Sequence, residues 1–314
     1  MDLQQLRYVV EVAETASFTR AAERCFVTQS ALSHQIAALE REIGQRLFAR
    51  SSRTVRLTEA GEAFVVHARI AVGAAAAARE ASTAAAGAVT GTLRLGVIPT
   101  VTALDVPATI ARFRSAHPLT RVELVVGNSD VLSRRVRDGS LDAALLGLRA
   151  EVEPVGVSTR ELARERLVAV VPPDHRLAGR RRIRVADLGE EVFADFPAGT
   201  SGRAQSDAAF ATAGVRRDVA FEADSAELLL GLVAAGLAVT LLAPGVVAAT
   251  SASIGVVPVS DGPSRVEYLA WDERSGRPVT SAFRHVVDES TRQPPGQDAE
   301  AGPEESSEPA PSAS

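Results

Sequence analysis

The chain has 314 residues, 46% of them hydrophobic, with one cysteine and a formal net charge of −5. That length exceeds one ordinary domain and supplies apolar material for more than one core. A single cysteine rules out an intrachain disulfide framework and argues against a structural zinc site, and no unbroken apolar run approaches the roughly 20 residues of a membrane span.

The N-terminus is an amphipathic segment carrying Asp2 and Glu11 rather than an export signal, so a cytoplasmic protein is expected. In that first segment Leu3, Leu6, Val10 and Ala13 give a helix one apolar face. Residues 17–43 read SFTRAAERCFVTQSALSHQIAALEREI, two short amphipathic helices joined by a tight turn. Phe18, Ala21, Ala22 and Cys25 form one apolar stripe, and Leu32, Ile36, Leu39 and Ile43 form the next. With both stripes packed inward, Thr28, Gln29, Ser30, Ser33 and His34 are left at the exposed start of the second helix, as in a helix-turn-helix that presents this helix to the major groove. Cys25 reads as a small core residue; a redox role would lack a resolving cysteine within the chain.

Leu47 and Phe48, following Gly44, can close the small core. From residue 43 to 57 the chain carries Arg46, Arg50, Arg53 and Arg56 and no acid, and the alternation after Arg50 suits a hairpin. Such a wing would lay its arginines against phosphates or in a minor groove, with Arg53 and Arg50 holding the backbone, adding salt-sensitive affinity and little sequence information. A solvated arginine run is the alternative, and its position directly after a complete helix-turn-helix favours the wing. Residues 1–57 hold eight arginines against six acids, so the local field favours DNA despite the overall charge.

Residues 1 to about 62 resemble, through nearly every position of the pattern, the winged helix-turn-helix of the LysR-type transcriptional regulators. Ser30 stands where the family often has proline and His34 where arginine is common. The resemblance implies a DNA-binding transcriptional regulator. It also implies a dimerisation helix, and beyond it a two-lobed α/β effector-binding domain resembling periplasmic binding proteins.

Residues 59–86 read as a long helix with Thr58 as N-cap, Glu59 and Glu62 favouring its first-turn dipole, and Phe64, Ala68, Ala71, Ala75 and Ala78 as an apolar seam. Gly73 weakens the helix by about 1 kcal/mol, so a partner helix is expected, hence a homodimer; a solvated alanine-rich spacer is the alternative. In the family two dimers commonly join into a homotetramer.

From Thr92 on, strands alternate with helices, which predicts parallel sheet. Strands are expected at 93–98, 122–126 and 141–146, with helices at 106–115 and 130–137. A second series follows: strands at 167–171, 192–196, 219–222 and 237–242, with helices after Thr200 and at 227–235. On family analogy the last strand, 266–271, and last helix, 281–287, return to the first lobe. The expected organisation is therefore a reader at 1–58, a linker at 59–89 and an effector domain at 92–290. Its lobe I covers about 92–162 and 267–290 and lobe II about 163–266, with crossovers near Leu162 and Glu267 forming a hinge.

Ligands of open α/β sheets sit beyond strand C-termini, near helix N-termini that offer amides to an anion. Thr100, Val101 and Thr102 after the first strand, and Thr200 and Ser201 after the strand ending at residue 196, would face each other across the cleft. Ser129 and Ser225, with Asn128, occupy further strand ends. Each hydroxyl also has a plain role as a helix cap. Family members bind small, often acidic effectors at equivalent loops, so a small-molecule effector of anionic character is the expectation.

No GxSxG, HExxH, P-loop or CxxC occurs, and His67, His117, His175 and His285 are scattered. No catalytic residue, metal or cofactor is expected. Residues 291–314 hold five acids against Arg292 and are rich in proline, glutamate, serine and alanine, so a disordered acidic tail is expected. Lysine is absent and arginine frequent, as in a GC-rich bacterial genome. The expected partners are double-stranded DNA bearing an imperfect inverted repeat, the effector, further copies of the chain and RNA polymerase, with no membrane. The rival readings are a solute-binding module or enzyme on the two-lobed fold, and an architectural DNA binder that needs no effector.

Overall fold

The computed structural model describes residues 1–50 and 54–292. Arg53 and residues 293–314 of the expected acidic tail lie outside the described residues, whereas Thr291 and Arg292, assigned to that tail from sequence, belong to the last helix.

Three helices, α1 (Leu3–Thr15), α2 (Phe18–Arg24) and α3 (Gln29–Ile43), are followed by a hairpin, β1 (Phe48–Arg50) and β2 (Val55–Leu57). Each helix starts where its sequence supplies a cap. Asp2 and Gln5 exchange a reciprocal capping box, with the Gln5 N–H donating to Asp2 at 2.8 Å, and Ser17 and Thr28 cap α2 and α3. Gly44, with φ of 71°, ends α3 in the left-handed region. The core contains Val9, Ala21, Leu32, Ile36, Leu39 and Leu47 with essentially no exposure. Two residues expected inside are not: Leu3 is 44% and Ile43 38% exposed, because each stands at a helix end that reaches past its neighbours.

Helix α4 (Glu59–Ala85) leaves the hairpin through the Thr58 cap. Its start is pressed against the reader, since a Cβ on Gly61 would lie 2.0 Å from the Leu47 carbonyl oxygen, so glycine is required there. Val65 and Ala68 enter the reader core. The expected seam is only partly covered: Phe64, Ala71 and Ala75 are half-buried and Ala78 is exposed. By length and composition α4 is the one helix among the described residues apolar enough to cross a membrane. Buried or half-buried pairs tie it to protein instead: Arg69 to Asp138, and Glu80 to Arg277, which also binds Asp142.

The first lobe contains β3 (Gly91–Val97), α5 (Val106–Ala116), β4 (Thr120–Val126), α6 (Ser129–Arg137), β5 (Ala143–Arg149) and β6 (Ser158–Arg166). The second contains β7 (Val168–Val171), β8 (Val192–Asp195), α7 (Ser201–Ala213), β9 (Asp218–Glu222), α8 (Ala226–Ala234), β10 (Thr240–Leu242), α9 (Pro244–Ala248) and β11 (Gly255–Pro258). The chain then returns through β12 (Ser264–Trp271) and α10 (Pro278–Arg292) to the first lobe.

The first sheet runs β4-β3-β5-β12-β6 and is mixed rather than all parallel. Strands β3, β4 and β5 are parallel, whereas the returning β12 lies antiparallel between β5 and β6. Strand β6, STRELARER, was not expected; it is an edge strand with charged side chains facing out, so it lacks the apolar signal of a buried strand. In the second lobe β10 and β11 flank β7 antiparallel, β8 pairs with β9 in parallel, and a bridge from Phe193 to Val239 joins the two groups. Because β6 and β12 stay in the first sheet to Arg166 and from Ser264, the crossovers fall at Leu167 and Pro263, not near Leu162 and Glu267. There the Leu167 N–H donates to the Pro263 carbonyl at 2.9 Å, tying the two crossover strands together.

Candidate DNA-reading face and interlobe cleft

The first turn of α3 is polar because its opposite face is committed to the core. Leu32, Ile36 and Leu39 are fully buried, which leaves Thr28, Gln29, Ser30 and His34 exposed and Ser33 half-buried. The Thr28 hydroxyl accepts the Ala31 N–H at 3.2 Å and stands 3.1 Å from the Ser30 hydroxyl, so Thr28 is occupied as a cap while the Gln29 amide faces outward. The i, i+4 spacing puts Gln29 with Ser33 and Ser30 with His34 on adjacent rows of one face.

Phe26 was not singled out from sequence, yet it is 92% exposed and sits at φ of 57° in the turn before α3. A bulky aromatic ring in the left-handed region, presented to solvent beside the polar first turn of α3, is a candidate contact position. Only the combination of its backbone angle and exposure reveals this, and neither is readable from composition.

The wing is held by Glu40 on α3, whose carboxylate accepts the N–H groups of Leu47 at 2.8 Å and Phe48 at 3.2 Å. Its strands pair Phe48 with Leu57, Ala49 with Arg56 and Arg50 with Val55. Arg46 and Arg56 are exposed and Arg50 ends β1, all on the segment that follows α3. Cys25 belongs to the reader core, where burial raises its thiol pKa and so disfavours the thiolate.

Between the lobes lies a cavity of about 320 Å3, a size suited to a small organic molecule. Of the residues expected there, Thr100, Ser129 and Thr200 line it, whereas Val101, Thr102, Ser201 and Ser225 do not. Each of the latter has another task. Val101 packs into the first-lobe cores. Thr102 donates its N–H to Glu267 at 3.0 Å and its hydroxyl meets Glu267 at 2.7 Å and Glu165 at 2.9 Å. Ser225 caps α8 through the Leu228 N–H, and Ser201 donates its N–H and hydroxyl to Asp130. Even Ser129, in the wall, spends its hydroxyl on Gly147, donating to its carbonyl and accepting its N–H at 3.0 Å.

Sequence reasoning missed the residue at the floor of this cavity, Arg265, which is 3% exposed. Its guanidinium donates to Thr100 Oγ1 at 3.0 Å, to the Thr100 carbonyl at 2.8 Å and to Glu165 at 2.6 Å, and it also pairs with Glu267. Glu267 in turn accepts the N–H groups of Thr102 and Ala103. The available signal was two charges, Arg265 and Glu267, inside an otherwise apolar strand; charges buried there must be paired. Asp130, Gln205 and Asp224 were likewise missed. Gln205 on α7 reaches the Gly147 carbonyl of the other lobe at 3.4 Å, and Asp224 is exposed in the cleft wall.

No group of three or more His, Cys, Asp or Glu side chains among the described residues is placed to hold a metal. His175 meets Glu191 at 3.0 Å, as Arg176 meets the same carboxylate at 2.6 Å.

Comparison with known proteins gives both halves of this architecture a family. Residues 3–62 match "Bacterial regulatory helix-turn-helix protein, lysR family" and residues 86–292 match "LysR substrate binding domain". The HTH-type transcriptional regulator ShiR of Corynebacterium glutamicum (strain R) is 34% identical over 294 residues, 91% of this chain and 98% of that protein. Among solved structures, a full-length OxyR variant from Pseudomonas aeruginosa superimposes with a TM-score of 0.75 at 28% identity, covering 93% of this chain and 95% of that one. The regulator CbnR, solved in complex with its target DNA, shares the fold with a TM-score of 0.63 at 24% identity, over 92% of this chain and all of that one. A winged reader, a long helix and a two-lobed effector-binding domain, matched along both segments, make the chain a member of the LysR family of DNA-binding transcriptional regulators, which are not enzymes.

Proposed function

We propose that the protein binds an imperfect inverted repeat in double-stranded DNA as a homodimer or homotetramer in the bacterial cytoplasm. A small molecule held between its lobes changes how the copies sit on that DNA and how RNA polymerase is engaged. The observation that carries the reading is the first turn of α3, where Gln29, Ser30 and His34 stand exposed opposite the buried Leu32, Ile36 and Leu39, beside an arginine-bearing wing. In this arrangement Gln29 bonds an adenine edge, Ser30, Ser33 and His34 contact bases or phosphate, Thr28 fixes the turn, and Arg50 and Arg53 hold the backbone. A second α4 supplies the cover that its incompletely buried apolar stretch lacks, and so sets the spacing of two half-sites.

Sensing by reversible binding, rather than by sulfur oxidation, is supported by composition. The chain has one cysteine, Cys25 in the reader core, and one methionine, Met1, so the effector domain contains no sulfur at all.

The test is selection of bound fragments from random duplex by the full chain. An enriched inverted repeat is expected. Gln29→Ala should relax preference at one base pair per half-site by about 1–3 kcal/mol, and Arg53→Ala should weaken all sequences alike. Binding without sequence preference, or mutants indistinguishable from the parent, would overturn the reading. Sedimentation at micromolar concentration tests the oligomer, and a monomer would remove the half-site geometry.

A further inference from the structure

The cleft that the proposed function assigns to the effector has a charge pattern of its own, and the inference here rests on that assignment. Among the described residues lining the cavity, Arg265 and Asp224 carry the fixed charges. Arg265 is already matched by two carboxylates, Glu165 and Glu267, on the same guanidinium. An incoming anion would be repelled by both acids and would displace existing bonds for each new one it made. The helix N-termini around the cleft are likewise served from within. Asp130 takes the Ser201 N–H at 3.1 Å at the start of α7, Asn128 takes the Val131 N–H at 3.0 Å on α6, and Ser225 takes the Leu228 N–H at 3.3 Å on α8. Asp224, by contrast, is exposed to the cleft, and no cation lies within ion-pair distance of it among the described residues. Phe196, Leu241, Leu242 and Val131 give part of the wall an apolar surface, beside the uncharged polar Thr100, Asn128, Ser129, Thr200 and Gln205.

We propose that the cleft takes a small amphipathic organic cation, an apolar amine, whose ammonium pairs with Asp224 while its hydrocarbon body lies against Phe196, Leu241 and Leu242. This reverses the charge that the family resemblance suggests for the effector. The physical reason is that both elements meant to attract an anion, the buried arginine and the α7 amides, are neutralised by this chain's own carboxylates. A carboxylate without a cationic partner, set beside apolar side chains, favours a cation over a neutral isostere, and a neutral isostere over an acid.

The experiment uses the full-length protein and two matched probe sets: benzylamine, benzyl alcohol and benzoate, and hexylamine, hexanol and hexanoate. Thermal shift and calorimetry read affinity, and a footprint on selected DNA reads the response. In at least one set the amine should bind about tenfold or more tightly than the acid. Asp224→Asn should erase that preference while keeping alcohol binding, and Asp224→Glu should restore it. Acids that bind as well as or better than the amines, or a preference that survives Asp224→Asn, would overturn the charge assignment and leave the effector cleft standing. If no probe of any charge binds at millimolar concentration or alters the footprint, the proposal fails and the effector reading fails with it.

Discussion

Asp130 and Ser201 meet across the cleft: one carboxylate oxygen of Asp130, on α6 of the first lobe, accepts both the N–H of Ser201 at 3.1 Å and its hydroxyl at 2.5 Å, at the start of α7 in the second lobe. The contact adds to the Thr200 N-cap of α7 a carboxylate from the other lobe, combining a charge-assisted hydrogen bond with a favourable position on the helix dipole. Asp130→Ala should destabilise α7 by about 1 kcal/mol and loosen the lobes. Hydrogen exchange should show faster exchange at the amides of residues 201–204 without faster exchange in β3 or β5. Unchanged protection at α7 would show that the carboxylate contributes nothing to closure.

Phe26 separates a folding role from a binding role cleanly. Its φ of 57° strains a non-glycine residue by roughly 1–2 kcal/mol, so Phe26→Gly should hold or slightly raise the melting temperature. Affinity for DNA should nevertheless fall several-fold, and by similar factors on specific and random duplex, because a ring in this turn would touch sugar and phosphate. A glycine variant with undiminished affinity would reduce the exposed ring to a surface accident.

Arg277 lies between two buried acids, Glu80 of α4 and Asp142 at the foot of β5, and is itself 7% exposed. Arg277→Met should cost about 3–5 kcal/mol, since it leaves two carboxylates buried without a counter-charge. Glu80→Gln keeps one pair and should cost less. Chemical denaturation of the two variants side by side checks the order, and equal losses would mean that the acids are not held by the arginine.

Glu14, on α1, faces the junction of reader, linker and first lobe, where burial raises its carboxyl pKa above the ordinary 4.5 against the opposing pull of Arg94. Glu11 reinforces the rise, while Arg69 and Arg24 oppose it. A raised folded-state pKa means that the folded protein binds the proton more tightly than the unfolded chain. This group therefore adds stability as pH falls through the raised value, fully so below the unfolded one, and that contribution disappears as pH rises. Glu14→Gln should abolish this part of the dependence and raise the melting temperature near neutral pH. A melting curve against pH that is parallel in the two proteins would remove Glu14 from the account.

The reader was legible because its helices follow one periodicity: Ala21, Leu32, Ile36 and Leu39 are buried where a 3.6-residue repeat puts them. The same rule failed at Leu3 and Ile43, where a helix outruns the neighbours that could cover it. Strand β6 escaped notice because an edge needs few apolar residues, and β11 because four residues ending in Pro258 carry almost no pattern. The cleft was legible only as a place. Thr100 and Thr200 could be put there from strand ends, but the partners that decide its charge are far apart in sequence: Arg265 meets Glu165 across 100 positions, and Asp130 meets Ser201 across 71. Local spacing contains no record of such pairings.

Helix α4 is gripped at two levels, by the reader core around Val65 and Ala68 and, further along, by Arg277 on Glu80. A beam clamped at both points transmits torque better than it bends between them, so within one subunit the reader and the first lobe are expected to turn together. The joint expected to stay free is the pair of crossover strands at Leu167 and Pro263, held to each other by one backbone hydrogen bond, on which the second lobe would swing.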